Sequence, residues 1–117
     1  MLSNEFAQHF ADEWMEAWNS HDLTKILSHY SEDFEMASPL IVKVTGVQSS
    51  TLKGKKAVGA YWEKGLALMP TLHFELDTIL VGVDSITLYY RSARGKVAEV
   101  FFFDVNNLVV KAAAHYE

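Results

Sequence analysis

Cysteine is absent from the 117 residues of the sequence, which excludes disulfides, thiolate catalysis and thiolate metal sites. Long apolar runs are absent too, since no stretch approaches the roughly 18 to 20 uncharged apolar residues that a membrane span needs. No block of like charges occurs, and ten Lys and Arg against fifteen Asp and Glu give a formal net charge of −5. We therefore expect neither nucleic acid nor a membrane surface as a partner.

The composition is typical of one folded domain. Half of the residues are apolar and 21% are charged, which excludes intrinsic disorder. The chain is also too short for a second core. The amino end lacks a basic segment, and acidic residues at positions 5, 12, 13 and 16 interrupt what would be the apolar part of a signal peptide. We expect a single domain over residues 1–117 in a soluble, cytoplasmic protein.

The amino-terminal part of the sequence predicts two helices. Large apolar residues spaced by four, four, three and one predict a first helix over residues 5–20, with one apolar face that lies on a sheet. Asp22 is a suitable cap for a second, shorter helix, because its side chain can accept hydrogen bonds from free backbone N–H groups. The apolar spacing extends this helix from Leu23 to Tyr30.

A short strand and an ambiguous segment follow. After a polar turn at residues 31–33, the alternation of Phe34, Met36 and Ser38 predicts a strand that Pro39 ends. Residues 40–53 combine a β-branched run with a Gly and a Ser/Thr cluster, and we expect an irregular hairpin arm there.

The second half of the sequence predicts one helix and then strands. Helical spacing resumes after Gly54 and ends at Pro70. Alternation follows at residues 72–76, and the β-rich runs 86–91, 97–104 and 109–116 are separated by turns, which predicts an antiparallel meander. Three helices, one short strand between the second and the third, and a meander define an α+β architecture with the helices on one face.

Four segments follow one another in an informative order: residues 18–23, 30–34, 52–55 and the closing stretch 103–116. In this order the chain resembles the nuclear transport factor 2-like superfamily, specifically its SnoaL-like and ketosteroid-isomerase-like branch. The resemblance implies a cystatin-like cone, in which a strongly curved mixed or antiparallel sheet wraps around the three helices. It also implies an apolar cavity between sheet and helices, and a homodimer packed through the outer face of the sheet.

The resemblance suggests three polar positions in that cavity. Ketosteroid isomerases place there a Tyr on the first helix, an Asp base at the end of the first strand, and a protonated Asp on a later strand. The matching positions here hold Trp14, Ser38 and Glu99. Trp14 offers an indole N–H but no phenol, and serine has no proton affinity near neutral pH. Since only Glu99 keeps its chemistry, the sequence does not support steroid isomerisation.

Glu99 is the candidate catalytic residue. By alternation it shares a strand face with Val97, Phe101 and Phe103, and burial among them would raise its pKa toward neutrality. Two interpretations stay open: a cavity carboxyl that binds or protonates a ligand, or a carboxyl paired with a neighbouring Arg, Trp or Tyr for structural reasons. A strand shifted by one residue would turn Glu99 toward solvent and remove both.

The predicted cavity walls are mostly aromatic side chains, which could equally be ordinary core residues. They are Tyr30, Met36, Trp62, Phe101 and Tyr116, with Trp14 and Ser38 as polar contacts. Five histidines, at positions 9, 21, 29, 73 and 115, show no spacing that would bring two together on one element. We expect surface histidines, no metal site and no cofactor.

These observations favour a protein that binds a small, mostly apolar molecule with at least one polar group. If the protein is an enzyme, Glu99 would transfer a proton in an isomerase, cyclase or dehydratase class of reaction. The alternative is a noncatalytic ligand-binding or protein-interaction module that acts through the outer face of the sheet. The residues of that face would include Tyr89, Phe102 and His115.

Overall fold

The structure is a computed structural model that describes residues 1–117. Its helices are α1 (Asn4–Asn19), α2 (Leu23–Leu27), α3 (Leu40–Thr45) and α4 (Lys55–Leu68). Its strands are β1 (Tyr30–Ala37), β2 (Thr51–Lys53), β3 (Glu75–Val81), β4 (Ser85–Ser92), β5 (Gly95–Phe103) and β6 (Val109–Tyr116). None of the helices has both the length and the apolar character that crossing a membrane requires.

All six strands belong to one open, mixed sheet with the order β2-β1-β6-β5-β4-β3. The strands β4, β5 and β6 form the antiparallel meander predicted for the runs 86–91, 97–104 and 109–116. Strand β3 pairs antiparallel with β4, but it covers Glu75–Val81 rather than the predicted residues 72–76, since residues 72–74 lie outside the sheet. Strand β1 runs parallel to β6, and the short β2 pairs antiparallel with β1 at the edge. Register shifts within β1, β3 and the β5–β6 pair mark bulges, which bend and twist strands.

The first helix forms as its apolar spacing predicts and covers the inner face of the sheet. Its amino end is capped by Ser3, whose hydroxyl accepts a hydrogen bond from the backbone N–H of Phe6 (3.0 Å). One face of α1 is buried, and Phe10 packs edge to face on both Phe101 and Phe103, with ring centroids 5.0 Å apart in each pair. Aromatic contacts of this kind join α1 to β5.

The second helix is shorter than predicted. It ends at Leu27, and Tyr30 is the first residue of β1 rather than the last residue of a helix. The backbone N–H of Val109 donates to the carbonyl of His29, which draws the chain into the sheet at this point. The prediction of a polar turn at residues 31–33 is also wrong, because these residues belong to β1 and lie at its bulge.

The segment 40–53 differs from the predicted hairpin arm. Its first part is the helix α3, which brings the number of helices to four, and its last part is the edge strand β2. The β-branched residues of this run are helical despite their strand propensity. Within α3, Ile41 is completely buried, and the Thr45 hydroxyl donates to the Ile41 carbonyl (2.7 Å). Gly46 then ends α3 in the left-handed conformation, with φ of 76°. The next helix, α4, follows Gly54 as predicted.

Two hydrogen bonds of the Asn19 side chain connect the end of α1 to the segment that leads into β3. The Asn19 amide donates to the carbonyl of Phe74 (3.0 Å), and its carbonyl accepts from the backbone N–H of Phe74 (2.7 Å). Two residues later, His21 Nε2 lies 2.8 Å from the carbonyl of Leu72. These contacts fix an otherwise irregular stretch of backbone against the carboxyl end of α1.

We predict that Asn19→Ala lowers the free energy of unfolding by about 2 kcal/mol, because it leaves both backbone groups of Phe74 without their partner. Chemical denaturation monitored by circular dichroism measures this change. Ser20→Ala is the matched control, since the exposed Ser20 hydroxyl bonds only to the nearby carbonyl of Ala17. Equal stability of the two variants would contradict the structural role given to Asn19.

Candidate functional site

A cavity of about 100 Å³ opens between the inner face of the sheet and the helices α1, α3 and α4. Most of its wall is apolar and aromatic. From the helices come Trp14, Trp18, Leu40, Tyr61 and Trp62. From the strands come Met36, Tyr90, Val97, Glu99 and Tyr116, and from the connecting segments Met69, Leu72, Phe74 and Arg94.

Glu99 lies in this wall, on the inner face of β5. The predicted register is confirmed, since Val97, Glu99, Phe101 and Phe103 are all buried and Glu99 is only 4% exposed. Its carboxyl receives one hydrogen bond, from the hydroxyl of Tyr90 to Oε1 (2.8 Å). Tyr90 stands on the neighbouring strand, and no Lys, Arg or His forms an ion pair with Glu99. A buried carboxyl with a single neutral donor is the result.

The surroundings of Glu99 bring its acid–base equilibrium close to neutral pH. Burial raises the pKa of Glu99 to about 7, and the hydrogen bond from Tyr90 opposes that rise. Burial, together with the nearby Glu99 charge, also raises the pKa of Tyr90 well above its usual value. Near neutral pH, Tyr90 is therefore a permanent donor, while Glu99 exists in both protonation states.

Two further phenols, of Tyr61 on α4 and of Tyr116 on β6, belong to the same wall. Burial raises the pKa of both, and the Ser38 hydroxyl beside them opposes that rise. Arg94, on the turn between β4 and β5, acts in the same direction as Ser38. The two phenols are consequently protonated donors in the wall of the cavity.

One donor in the wall has no partner. The indole N–H of Trp18 is buried and makes no hydrogen bond with any group of the protein. A buried donor without a partner costs about 1–3 kcal/mol. The ring itself is held by Trp62, with centroids 5.2 Å apart, and by Phe74 at 5.7 Å.

Five of the eight site residues predicted from the sequence line the cavity. They are Trp14, Met36, Trp62, Glu99 and Tyr116. The other three, Tyr30, Ser38 and Phe101, do not reach it. Tyr30 and Phe101 are fully buried behind the wall as ordinary core residues. Ser38 is buried beside it, where its Oγ accepts the backbone N–H of Leu40 (3.2 Å).

Trp14 lies in the wall but does not present its indole N–H to the cavity. That N–H donates to the hydroxyl of Tyr30 (2.9 Å), inside the core. The polar contact expected from Trp14 is therefore satisfied within the protein. Burial raises the pKa of Tyr30, so this hydroxyl stays protonated and the pair is a fixed structural contact.

Sequence analysis did not predict twelve of the seventeen residues that line the cavity, among them Trp18, Tyr61, Tyr90 and Arg94. Trp18 and Tyr61 lie on helix faces that were recognised as apolar, and such a pattern does not separate a wall residue from a core residue. Tyr90 was detectable, because a meander places neighbouring strands in register, and inward-facing residues of one strand then oppose those of the next. Arg94 lies in a turn, where no periodicity applies.

The structure contains no group of three His, Cys, Asp or Glu side chains that could hold a metal ion. His9, His73 and His115 are exposed, but His21 and His29 are half-buried, so the expectation of surface histidines is wrong for these two. Asp22 caps α2 as predicted, by accepting the backbone N–H of Lys25 (3.1 Å).

The comparison with known proteins gives one sequence family and one fold. Residues 11–110 match the SnoaL-like domain. A SnoaL-like protein of unknown function from Burkholderia thailandensis is 51% identical, with a TM-score of 0.93 over 100% of this chain and 99% of that one. The sequence has no significant match among curated proteins.

More distant structures share the fold alone. A protein of unknown function with a cystatin-like fold, from Methylobium petroleophilum, is 14% identical, with a TM-score of 0.77 over 98% of this chain and 78% of that one. A candidate isomerase of the SnoaL-like family, from Agrobacterium tumefaciens, is also 14% identical, with a TM-score of 0.75 over 97% and 98% of the two chains. The match to the family over residues 11–110 and the 51% identical structure show that this chain belongs to the SnoaL-like family, and it has a cystatin-like fold.

Proposed function

We propose that the protein binds a small, mostly apolar molecule in the cavity and that Glu99 transfers a proton to or from it. The observation that carries this proposal is the buried Glu99 carboxyl, which lies in an aromatic wall and receives a single hydrogen bond. An isomerase, cyclase or dehydratase class of reaction would use such a group, because each needs a proton removed at one atom and delivered at another.

Glu99 is suited to both halves of such a reaction. A pKa of about 7 keeps the acid and the base forms populated near neutral pH, so one carboxyl can remove a proton and return it. Tyr90 steadies the charged form through Oε1 and leaves Oε2 as the oxygen that can meet a substrate. The aromatic wall limits water around the carboxyl, which strengthens its interaction with a bound molecule.

The size of the cavity limits what can bind. At about 100 Å³, it is smaller than the roughly 150 Å³ cavity that accepts benzene in an engineered protein. We therefore propose that the part of the ligand enclosed by the cavity is no larger than a single ring. A steroid would not fit unless the wall moved. Trp14, Met36, Trp62 and Tyr116 would contact the apolar part of this ligand.

We propose that the chain forms a homodimer through the outer face of the sheet. Phe102 is 37% exposed on this face, and Val100 and Tyr89 lie half-buried beside it. Apolar side chains on a sheet face with no covering helix favour a protein contact. The same face is the candidate surface for a noncatalytic interaction module.

The first prediction concerns the pH dependence of stability. Because the pKa of Glu99 is raised on folding, its protonation stabilises the fold fully below pH 4.5, and this contribution is lost as the pH rises toward 7. The free energy of unfolding of Glu99→Gln, relative to the wild type, should therefore increase by about 3 kcal/mol between pH 4.5 and pH 8. Urea unfolding at several pH values measures this difference.

Glu35→Gln is the matched control for that experiment. Glu35 is half-buried on β1 and does not line the cavity. A stability difference between Glu99→Gln and the wild type that stays constant over this pH range would show that Glu99 does not titrate near neutral pH.

The second prediction concerns proton transfer itself. Cyclohexanone is a single apolar ring with one oxygen, and exchange of its α-protons in D₂O is visible by NMR. We expect the wild type to accelerate this exchange and Glu99→Gln to reduce the acceleration by about 100-fold, because general acid–base catalysis contributes at least that much. Glu35→Gln should keep the full rate. Equal rates for the wild type and Glu99→Gln would overturn the catalytic role and leave a binding module.

The third prediction concerns the dimer. Phe102→Lys places a charge in the middle of the proposed contact and should convert a dimer into a monomer, as measured by sedimentation or light scattering. Val105→Lys is the control, since Val105 is 98% exposed in the turn between β5 and β6. A wild type that is monomeric at high concentration would contradict the proposal.

A further inference from the structure

The cavity wall contains a single basic side chain, Arg94. It lies in the turn between Ser92 and Gly95 that joins β4 to β5, and it is exposed to solvent while still lining the cavity. Arg94 therefore stands at the mouth, whereas Glu99 is buried in the wall. A cation at the entrance and a carboxyl inside make the two parts of the cavity chemically different.

Arg94 is not paired with a carboxylate of the protein. The two ion pairs of the structure join Glu13 to His9 and to His29, and neither involves Arg94. Glu117 lies beside the same turn, but its carboxylate accepts the backbone N–H of Lys96 (2.9 Å) and forms no ion pair with Arg94. The guanidinium is thus free, in a chain whose formal net charge is −5.

Two phenols share the region of Arg94. Tyr61 and Tyr116 line the cavity together with Arg94, and burial raises the pKa of both phenols, so both hydroxyls are protonated. The wall of the cavity therefore offers one fork of N–H donors and two O–H donors. Carboxylates bind to such a set of donors, because a guanidinium can offer two parallel hydrogen bonds and hydroxyls can satisfy the remaining lone pairs.

We infer that the ligand of this cavity is a single-ring organic acid, whose ring occupies the aromatic part and whose carboxylate pairs with Arg94 at the mouth. This inference rests on the proposed function and names its ligand class. It requires that Glu99 not repel the bound anion. Glu99 meets this requirement in its protonated form. The neighbouring phenols also add no negative charge, because the pKa of each is raised and all are neutral: Tyr30, Tyr61, Tyr90 and Tyr116.

A binding experiment with matched compounds tests the inference. Benzoate and benzamide have the same ring and nearly the same shape, but only benzoate is charged. Quenching of tryptophan fluorescence reports binding, because Trp14, Trp18 and Trp62 line the cavity. We expect the wild type to bind benzoate about fivefold more tightly than benzamide, which is the upper range for a solvent-accessible ion pair.

Variants assign this preference to one side chain. Arg94→Gln should abolish it, while Arg94→Lys should keep part of it because the charge remains without the fork of donors. Arg91→Gln is the matched control, since Arg91 is an exposed residue of β4 that does not line the cavity. It should bind both compounds like the wild type. A preference for benzoate that survives in Arg94→Gln would overturn the assignment.

The pH provides a second readout. A bound carboxylate favours the protonated form of Glu99, so benzoate should bind the wild type more tightly at pH 6 than at pH 8, and Glu99→Gln should remove this difference. Equal affinity for benzoate and benzamide would overturn the inference but leave the proposed function standing. Failure of both compounds to bind the wild type would reject the cavity as a ligand site, and the proposed function would fall with it.

Discussion

The packing of α1 on the inner face of the sheet is the constraint on which the other features depend. A sheet with one apolar face must cover it, and α1 does so with a stripe of aromatic rings that meet those of β4 and β5. Trp14 lies at the centre of this contact, with its ring against Tyr90 and Phe101. Its indole N–H is bonded to Tyr30, so α1 is also fixed to β1.

The cavity exists because this covering is incomplete at one end. Beyond Trp18, helix α1 stops, and the space over the sheet is closed by α4 and by the irregular segment before β3. Asn19 holds that segment in place through both backbone groups of Phe74. The polar groups of the wall collect here, since Glu99 and Tyr90 face inward and Arg94 stands on the adjoining turn. The end of the sheet that α1 leaves uncovered therefore contains both the cavity and its polar groups.

Sequence reasoning succeeded where a short-range periodicity decides the outcome. The spacing of α1, the end of α4 before Pro70, the meander and the inward direction of Glu99 all follow from repeats of 3.6 or 2 residues. It failed where a distant contact decides. Tyr30 fits a helical spacing but pairs with Val109 in the sheet, and Leu40–Thr45 is rich in β-branched residues yet forms a helix that buries Ile41.

The sequence by itself determined the α+β class, the SnoaL-like resemblance, and the presence of one carboxyl on an apolar strand face. Alternation and composition are local properties, so they need no knowledge of the partner surfaces. Only the tertiary structure decided that Trp14 donates to Tyr30, that Ser38, Tyr30 and Phe101 lie outside the cavity, and that Tyr90 and Arg94 belong to it. Those outcomes depend on distances between elements that are far apart in the chain, and no local pattern encodes such distances.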